Sequence, residues 1–230
     1  MLSSSIERAQ KKVEENNFGI RKRLLEYDDV MNSQREVIYT RRRNALYGER
    51  VDVDVANMMA DYAETFTQSM SGTDFEDFSY ELIRQISIEP GFDEKTFSKA
   101  SPSELSSDLS GQIQSVYHRR SEALIGQAWP VMKNIYETQS ATYENVVVPV
   151  GDGRRIYQVV VNLKKAYESK GKELLRAINK TINLVLIDEY WKEHLRDMDD
   201  LKQSVQNATY EQKDPLLIYK FESFKLFSEM

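Results

Sequence analysis

The sequence predicts an all-α fold with a small β-hairpin insertion: one long helix, a middle of shorter helices, and an antiparallel pair of helices at the end. Three observations predict it. Nine Gly and five Pro in 230 residues are too few for a turn-dense sandwich or barrel. The first and last stretches carry apolar residues at the alternating 4-3 spacing of a helix face. One short segment near the middle alternates with the two-residue period of paired strands.

Residues 3 to about 46 contain no proline and one glycine, Gly19. Ile6, Val13, Ile20 and Tyr27 recur every seven residues, and Leu24, Met31, Ile38 and Ala45 recur in step with them. Together they make one apolar stripe on a helix of about 66 Å, longer than the core of a domain this size needs. The other faces carry Arg21 to Arg23, Glu26, Asp28, Asp29, Arg35, Glu36 and Arg41 to Arg43. Gly19 is expected to weaken the helix locally by about 1 kcal/mol relative to alanine.

From about residue 48 the helices shorten. Thr73 with Glu76 reads as a capping box ahead of Phe78, Leu82, Ile83 and Ile86, and Glu89-Pro90-Gly91 as a stop. Ser101-Pro102-Ser103-Glu104 combines a cap, a proline in the first turn and an acid at the third position, opening a helix expected to reach Ile125. Asn145 to Val150, Gly151-Asp152-Gly153 and Ile156 to Val161 read as a β-hairpin about a glycine turn. Gly-Asp-Gly is not a phosphate loop, because no GK[ST] helix follows it. From Lys172 the long-helix texture returns, with Leu184, Trp191, Met198 and Val205 in one series and Ile187, His194 and Leu201 in another. Residues 207–215 interrupt it, and Leu217, Phe221, Phe224 and Phe227 suggest the apolar face of a returning helix.

The chemistry is sparse. With no Cys there is no disulfide framework, thiol nucleophile or Cys-type zinc site, and two His cannot supply the usual zinc clusters. Gly171-Lys172 lacks the remainder of a Walker motif. His194 lies on an apolar stripe and reads as a core or interface histidine, whereas His118, beside Arg119 and Arg120, reads as solvent-facing. Thirty-one Lys+Arg against 37 Asp+Glu give a net charge of −6, and acids separate the two arginine clusters, which argues against nucleic acid. No run approaches 18 apolar residues and none follows Met1 as a signal peptide would, so a soluble, cytosolic chain is expected, with the sequons at Asn179 and Asn207 as chance matches.

Two segments carry a family resemblance. Ala9-Gln10-Lys11-Lys12-Val13-Glu14, Asn17-Phe18 and Ile20-Arg21-Lys22, then Leu24 through Asn32, Gln34-Arg35 and Ile38-Tyr39, resemble the long scaffold helix of SecA, the bacterial preprotein translocase ATPases. Asp188 through Leu195, Met198-Asp199, Tyr210, Gln212 to Pro215, Tyr219-Lys220 and Phe224 resemble that family's two-helix finger. The resemblance implies a piece of a larger motor subunit: residues 1–48 as the long helix of the helical scaffold, 49–170 as the helical wing with its hairpin near 144–161, and 171–230 as the second scaffold part, the finger. The implied function is coupling of ATP-driven domain motion to preprotein movement through the SecYEG channel. The alternative is a free-standing helical adaptor that binds a partner through its long helix.

The resemblance also implies site residues. Tyr210 and Lys213 would contact preprotein and channel at the finger tip. Leu24, Tyr27, Asp28, Asp29, Met31, Arg35, Trp191 and His194 would dock the nucleotide-binding domains of the same chain. No catalytic residue, cofactor or metal is expected here, ATP and Mg being held by domains outside this segment. The implied partners are SecYEG and unfolded preprotein, while Lys202, Lys213 and Lys220 suggest acidic membrane lipids and apolar residues left uncovered on the long helix suggest a second copy, with no nucleic acid; the implied location is cytoplasmic and peripheral on the bacterial inner membrane. Three departures limit the transfer, one being the Val-rich hairpin and its flanks, which resemble an insertion in the wing about which the family says little. Gly19 stands where the family usually has an acid, and Asn207-Ala208-Thr209 stands where it commonly has Leu-Arg-Gly, so no role for that arginine is carried over.

Overall fold

The computed structural model describes residues 2–48, 50–139, 142–151, 153, 155–205 and 214–230. In chain order they form α1 (Leu2–Tyr47), α2 (Val51–Ser69), α3 (Phe75–Ile86), α4 (Glu94–Lys99), α5 (Pro102–Gln139), β1 (Asn145–Gly151), β2 (Ile156–Asn162), α6 (Leu163–Glu168), α7 (Lys172–Ser204) and α8 (Pro215–Glu229). The all-α fold with one hairpin is therefore as the composition and periodicities require. The chain divides into two compact units, residues 1–47 with 183–230, and residues 48–182. The second division falls inside α7, where the sequence carries no break.

In the unit formed by residues 48–182, caps and alternation act locally. Ser101 N–H and Oγ both donate to Glu104 Oε2 at 2.8 Å, closing the expected capping box, and these bonds hold the Glu104 carboxyl below its usual range. The start of α3 differs from expectation by one residue. Asp74, not Thr73, caps it by accepting from Asp77 N–H at 2.8 Å, while the Thr73 hydroxyl donates back to Met70 O. The carboxylate also suits the positive end of the helix dipole. The helix opened by Ser101 does not stop at Ile125 but runs through Pro130 to Gln139. Leu124, Ala128 and Met132, at steps of four, pack on the hairpin core, and that burial outweighs the one N–H that proline removes.

Two cores result. Ala63, Phe66, Phe78, Leu82, Ile88, Leu109 and Ile113 form the first, with Phe92 and Phe97 packed against it. Met132, Val159, Val161, Ala166, Leu174 and Ile178 form the second, under the hairpin. The strands pair antiparallel from Asn145↔Asn162 to Gly151↔Ile156, turning Val146, Val148, Val150, Val159 and Val161 inward and Val147, Ile156 and Val160 outward. Gly151 is required at the turn, since a Cβ there would meet Arg155 O at 2.6 Å. Asp152 of the expected Gly151-Asp152-Gly153 turn lies outside the described residues, while the two strands pair as expected. The short α6, capped by the Asn162 side chain on Lys165 N–H, was not anticipated.

In the unit formed by residues 1–47 and 183–230, the stripe of α1 is used unevenly. Gln34, Ile38 and Ala45 are buried, yet Ile6, Val13, Ile20 and Leu24 are each at least half exposed. Met198, Val205 and Tyr219 make the core, with Tyr27, Val30, Met31, Leu201, Ile218 and Leu226 around them. Asp214 caps α8 on Leu216 N–H with Pro215 in the first turn, as expected. The expected apolar face of α8 is corrected: Leu217, Phe221 and Phe224 are exposed, and Tyr219 and Ser223, on the opposite side, are buried. Only Phe227 of that series turns inward, against His194. The expected break at 207–215 falls, up to residue 213, outside the described residues.

Candidate functional site

Three helices meet at one buried side chain. Gln34, on α1, lies 2.8 Å from His194 Nε2 on α7 through its Oε1, and its Nε2 donates to Ser223 O on α8 at 3.1 Å. Because the Gln34 amide nitrogen faces a carbonyl, its oxygen faces the imidazole, and Nε2–H of His194 is the donor. All three residues are buried, His194 to 2% exposure. Trp191 and Phe227 flank the imidazole at 5.5 and 5.6 Å between ring centroids. Further along α1, Arg42 binds Asp188 with both carboxylate oxygens, at 2.7 and 3.1 Å. In the other direction Tyr27 meets Tyr219 edge-on at 4.7 Å, with Lys202 Nζ over the Tyr27 ring at 5.9 Å. These contacts run in opposite order along α1 and α7, and in the same order along α1 and α8. Hence α7 is antiparallel to both α1 and α8.

Burial sets the titration of the junction. It pushes Tyr219 up to about 12, with Asp199 and Asp28 adding to it. It pushes His194 below its ordinary 6.5, Asp197 opposing. Over that interval the unfolded chain binds more protons than the folded one, so the contribution of His194 to stability is full above about pH 6.5 and is lost as pH falls through the lowered folded value. We expect urea unfolding of this chain to show stability falling as pH drops from about 7 through the lowered folded value of His194, with a shallower fall in His194→Gln. Equal slopes in the two proteins would refute this.

The sequence-predicted residues separate into three sets. Trp191 and His194 are buried, and Tyr27 and Met31 are half-buried, so these four are engaged inside the unit. Leu24, Asp28 and Asp29 are exposed on α1, and the half-buried Arg35 donates to Asn32 Oδ1 at 2.6 Å. Tyr210 and Lys213 lie outside the described residues. Gln34, Ser223 and the Arg42–Asp188 pair were missed as site residues. A signal for Gln34 existed: it is the next member of the seven-residue series Ile6, Val13, Ile20 and Tyr27, a polar residue on an apolar stripe.

The unit of residues 48–182 holds an apolar groove of about 570 Å³, lined by Met58, Met59, Ile113, Val116, Leu175 and Ile178 among others. At its wall Tyr117 Oη and the buried Asn179 amide bond each other at 2.8 and 3.1 Å. Asn179 is therefore a packing residue, in keeping with a chance sequon. His118 is exposed, as expected. Among the described residues no group of three or more His, Cys, Asp or Glu could hold a metal ion.

A long helix packed against an antiparallel pair defines a helical scaffold, interrupted in sequence by a separate unit of helices and a hairpin. The family model described as the SecA wing and scaffold domain matches residues 1–230, and the chain belongs to that family. Curated relatives agree over the whole chain. It is 54% identical over 230 residues to the protein translocase subunit SecA of Parabacteroides distasonis, covering 100% of this chain and 20% of that protein. Over 231 residues it is 52% identical to SecA of Flavobacterium psychrophilum and 51% to SecA of Porphyromonas gingivalis, covering 100% of this chain and 21% of each. The chain spans about a fifth of the length of the curated relatives it matches.

Proposed function

We propose that this chain is the scaffold, wing and finger segment of a SecA preprotein translocase, and that it converts ATP-driven motion of nucleotide-binding domains elsewhere in the protein into movement of preproteins through the SecYEG channel. The observation that carries the reading is the match of the whole chain to translocase relatives, together with a junction at which α1 is bonded to both α7 and α8. Displacing α1 at such a junction displaces both helices of the finger.

In this reading ATP and Mg are bound outside the chain, which supplies no catalytic group. The exposed Leu24, Asp28 and Asp29 face the nucleotide-binding domains, while Trp191 and His194 support that docking from within. Tyr210 and Lys213 contact preprotein and channel. No helix among the described residues is long and apolar enough to cross a membrane. Attachment to the cytoplasmic face of the inner membrane runs through the channel and acidic lipids. The exposed Leu217, Phe221 and Phe224 offer a second copy an apolar surface.

The test is Tyr210→Ala in the full-length translocase that carries this segment. An amphipathic ring presses on many side chains without sequence preference, so its removal is expected to lower preprotein translocation. The stability of the 230-residue chain should change by no more than about 1 kcal/mol. Wild-type translocation by the variant, or a large fall in melting temperature, would overturn the assignment.

A further inference from the structure

We infer that Gln34 is the positioning residue that fixes the register of α8, and with it the finger, against α1. Apolar contact along the α1–α8 seam is non-directional and does not by itself distinguish neighbouring registers. The Gln34 amide does, because its two ends have different requirements. Its oxygen takes the His194 Nε2–H of α7, and its nitrogen must find an acceptor on α8 or stay buried without one.

Ser223 supplies the acceptor by being small. Its own hydroxyl folds back to Lys220 O at 3.0 Å, which leaves the backbone carbonyl open to Gln34. Carbonyls keep a second lone pair when in a helix. A slip of one turn, about 5.4 Å, would bring Tyr219 or Phe227 to that place, and their rings would fill the approach. The side chain thus ties three helices together at one register, as a lone buried polar residue does at a coiled-coil seam.

This inference rests on the proposed function for its consequence but not for its geometry, and the experiment separates the two. In the full-length translocase carrying this segment, nitroxide labels at the exposed Glu36 on α1 and Lys225 on α8 report the register. The second readout is polypeptide moved per ATP hydrolysed. Gln34→Glu keeps an acceptor for His194 and loses the donor to Ser223 O; Gln34→Met loses both. In each, the single label distance is expected to split, with about a tenfold loss of the native register, the weight of one buried hydrogen bond. Transport per ATP should fall with it while basal ATP hydrolysis is unchanged. Ser223→Ala, which keeps the carbonyl, should match wild type in both readouts. A single unshifted distance in both Gln34 variants would overturn the inference, as would a Ser223→Ala variant that splits like them. A split distance with undiminished transport per ATP would overturn the positioning role, whereas failure of the unaltered protein to transport at all would instead overturn the proposed function.

Discussion

Tyr219→Ala is expected to destabilise the unit formed by residues 1–47 and 183–230 by about 3–5 kcal/mol, the range for truncating a buried aromatic. Tyr219 is 1% exposed, sits among Tyr27, Met198 and Val205, and makes the edge-on ring contact with Tyr27. Truncation leaves a cavity bounded by three helices bonded to one another through Gln34, so the walls have little freedom to collapse. The chain has two tryptophans, and Trp191 belongs to this unit. Its fluorescence in a Trp129→Phe background during urea unfolding is the measurement. Phe224→Ala, at 72% exposure on the opposite side of α8, is the control and should change stability by less than about 0.5 kcal/mol. Equal losses for the two variants would mean that α8 does not bury the face described.

Phe78→Ala should cost the other unit about as much, again about 3–5 kcal/mol. Phe78 is 1% exposed and contacts three rings: Phe66 at 5.1 Å, Phe97 at 5.0 Å and Phe92 at 5.9 Å. Edge-to-face pairs add a further increment to area burial, so the loss should exceed that for Leu109→Ala in the same core. Trp129, read in a Trp191→Phe background, reports this unit. A loss below about 1 kcal/mol would show that the aromatic cluster is not the fold's support.

What the sequence alone determined about this protein is what local physics controls. Forty-odd residues without proline, in a seven-residue rhythm, can only be a long helix. Ser101 with Glu104, Asp214 with Pro215, and the alternating valines about Gly151 write their caps and pairing into three to seven adjacent residues. The motifs that resemble SecA are likewise contiguous, and the family match extends over all 230 residues. Tertiary structure alone decided the rest. Around α8 apolar side chains lie on opposite faces, Leu217, Phe221 and Phe224 on one and Tyr219 and Leu226 on the other, so periodicity could not choose between them; Tyr27 and Gln34, almost two hundred residues away, did. Continuation of α5 through Pro130 likewise depends on hairpin valines later in the chain, and the division within α7 on which helices each half meets. Gln34 is the sharpest case. On the sequence it is one polar residue interrupting a stripe, and it becomes a site only where α7 brings an imidazole and α8 a backbone carbonyl to the two ends of its amide, because a hydrogen bond needs both partners in place.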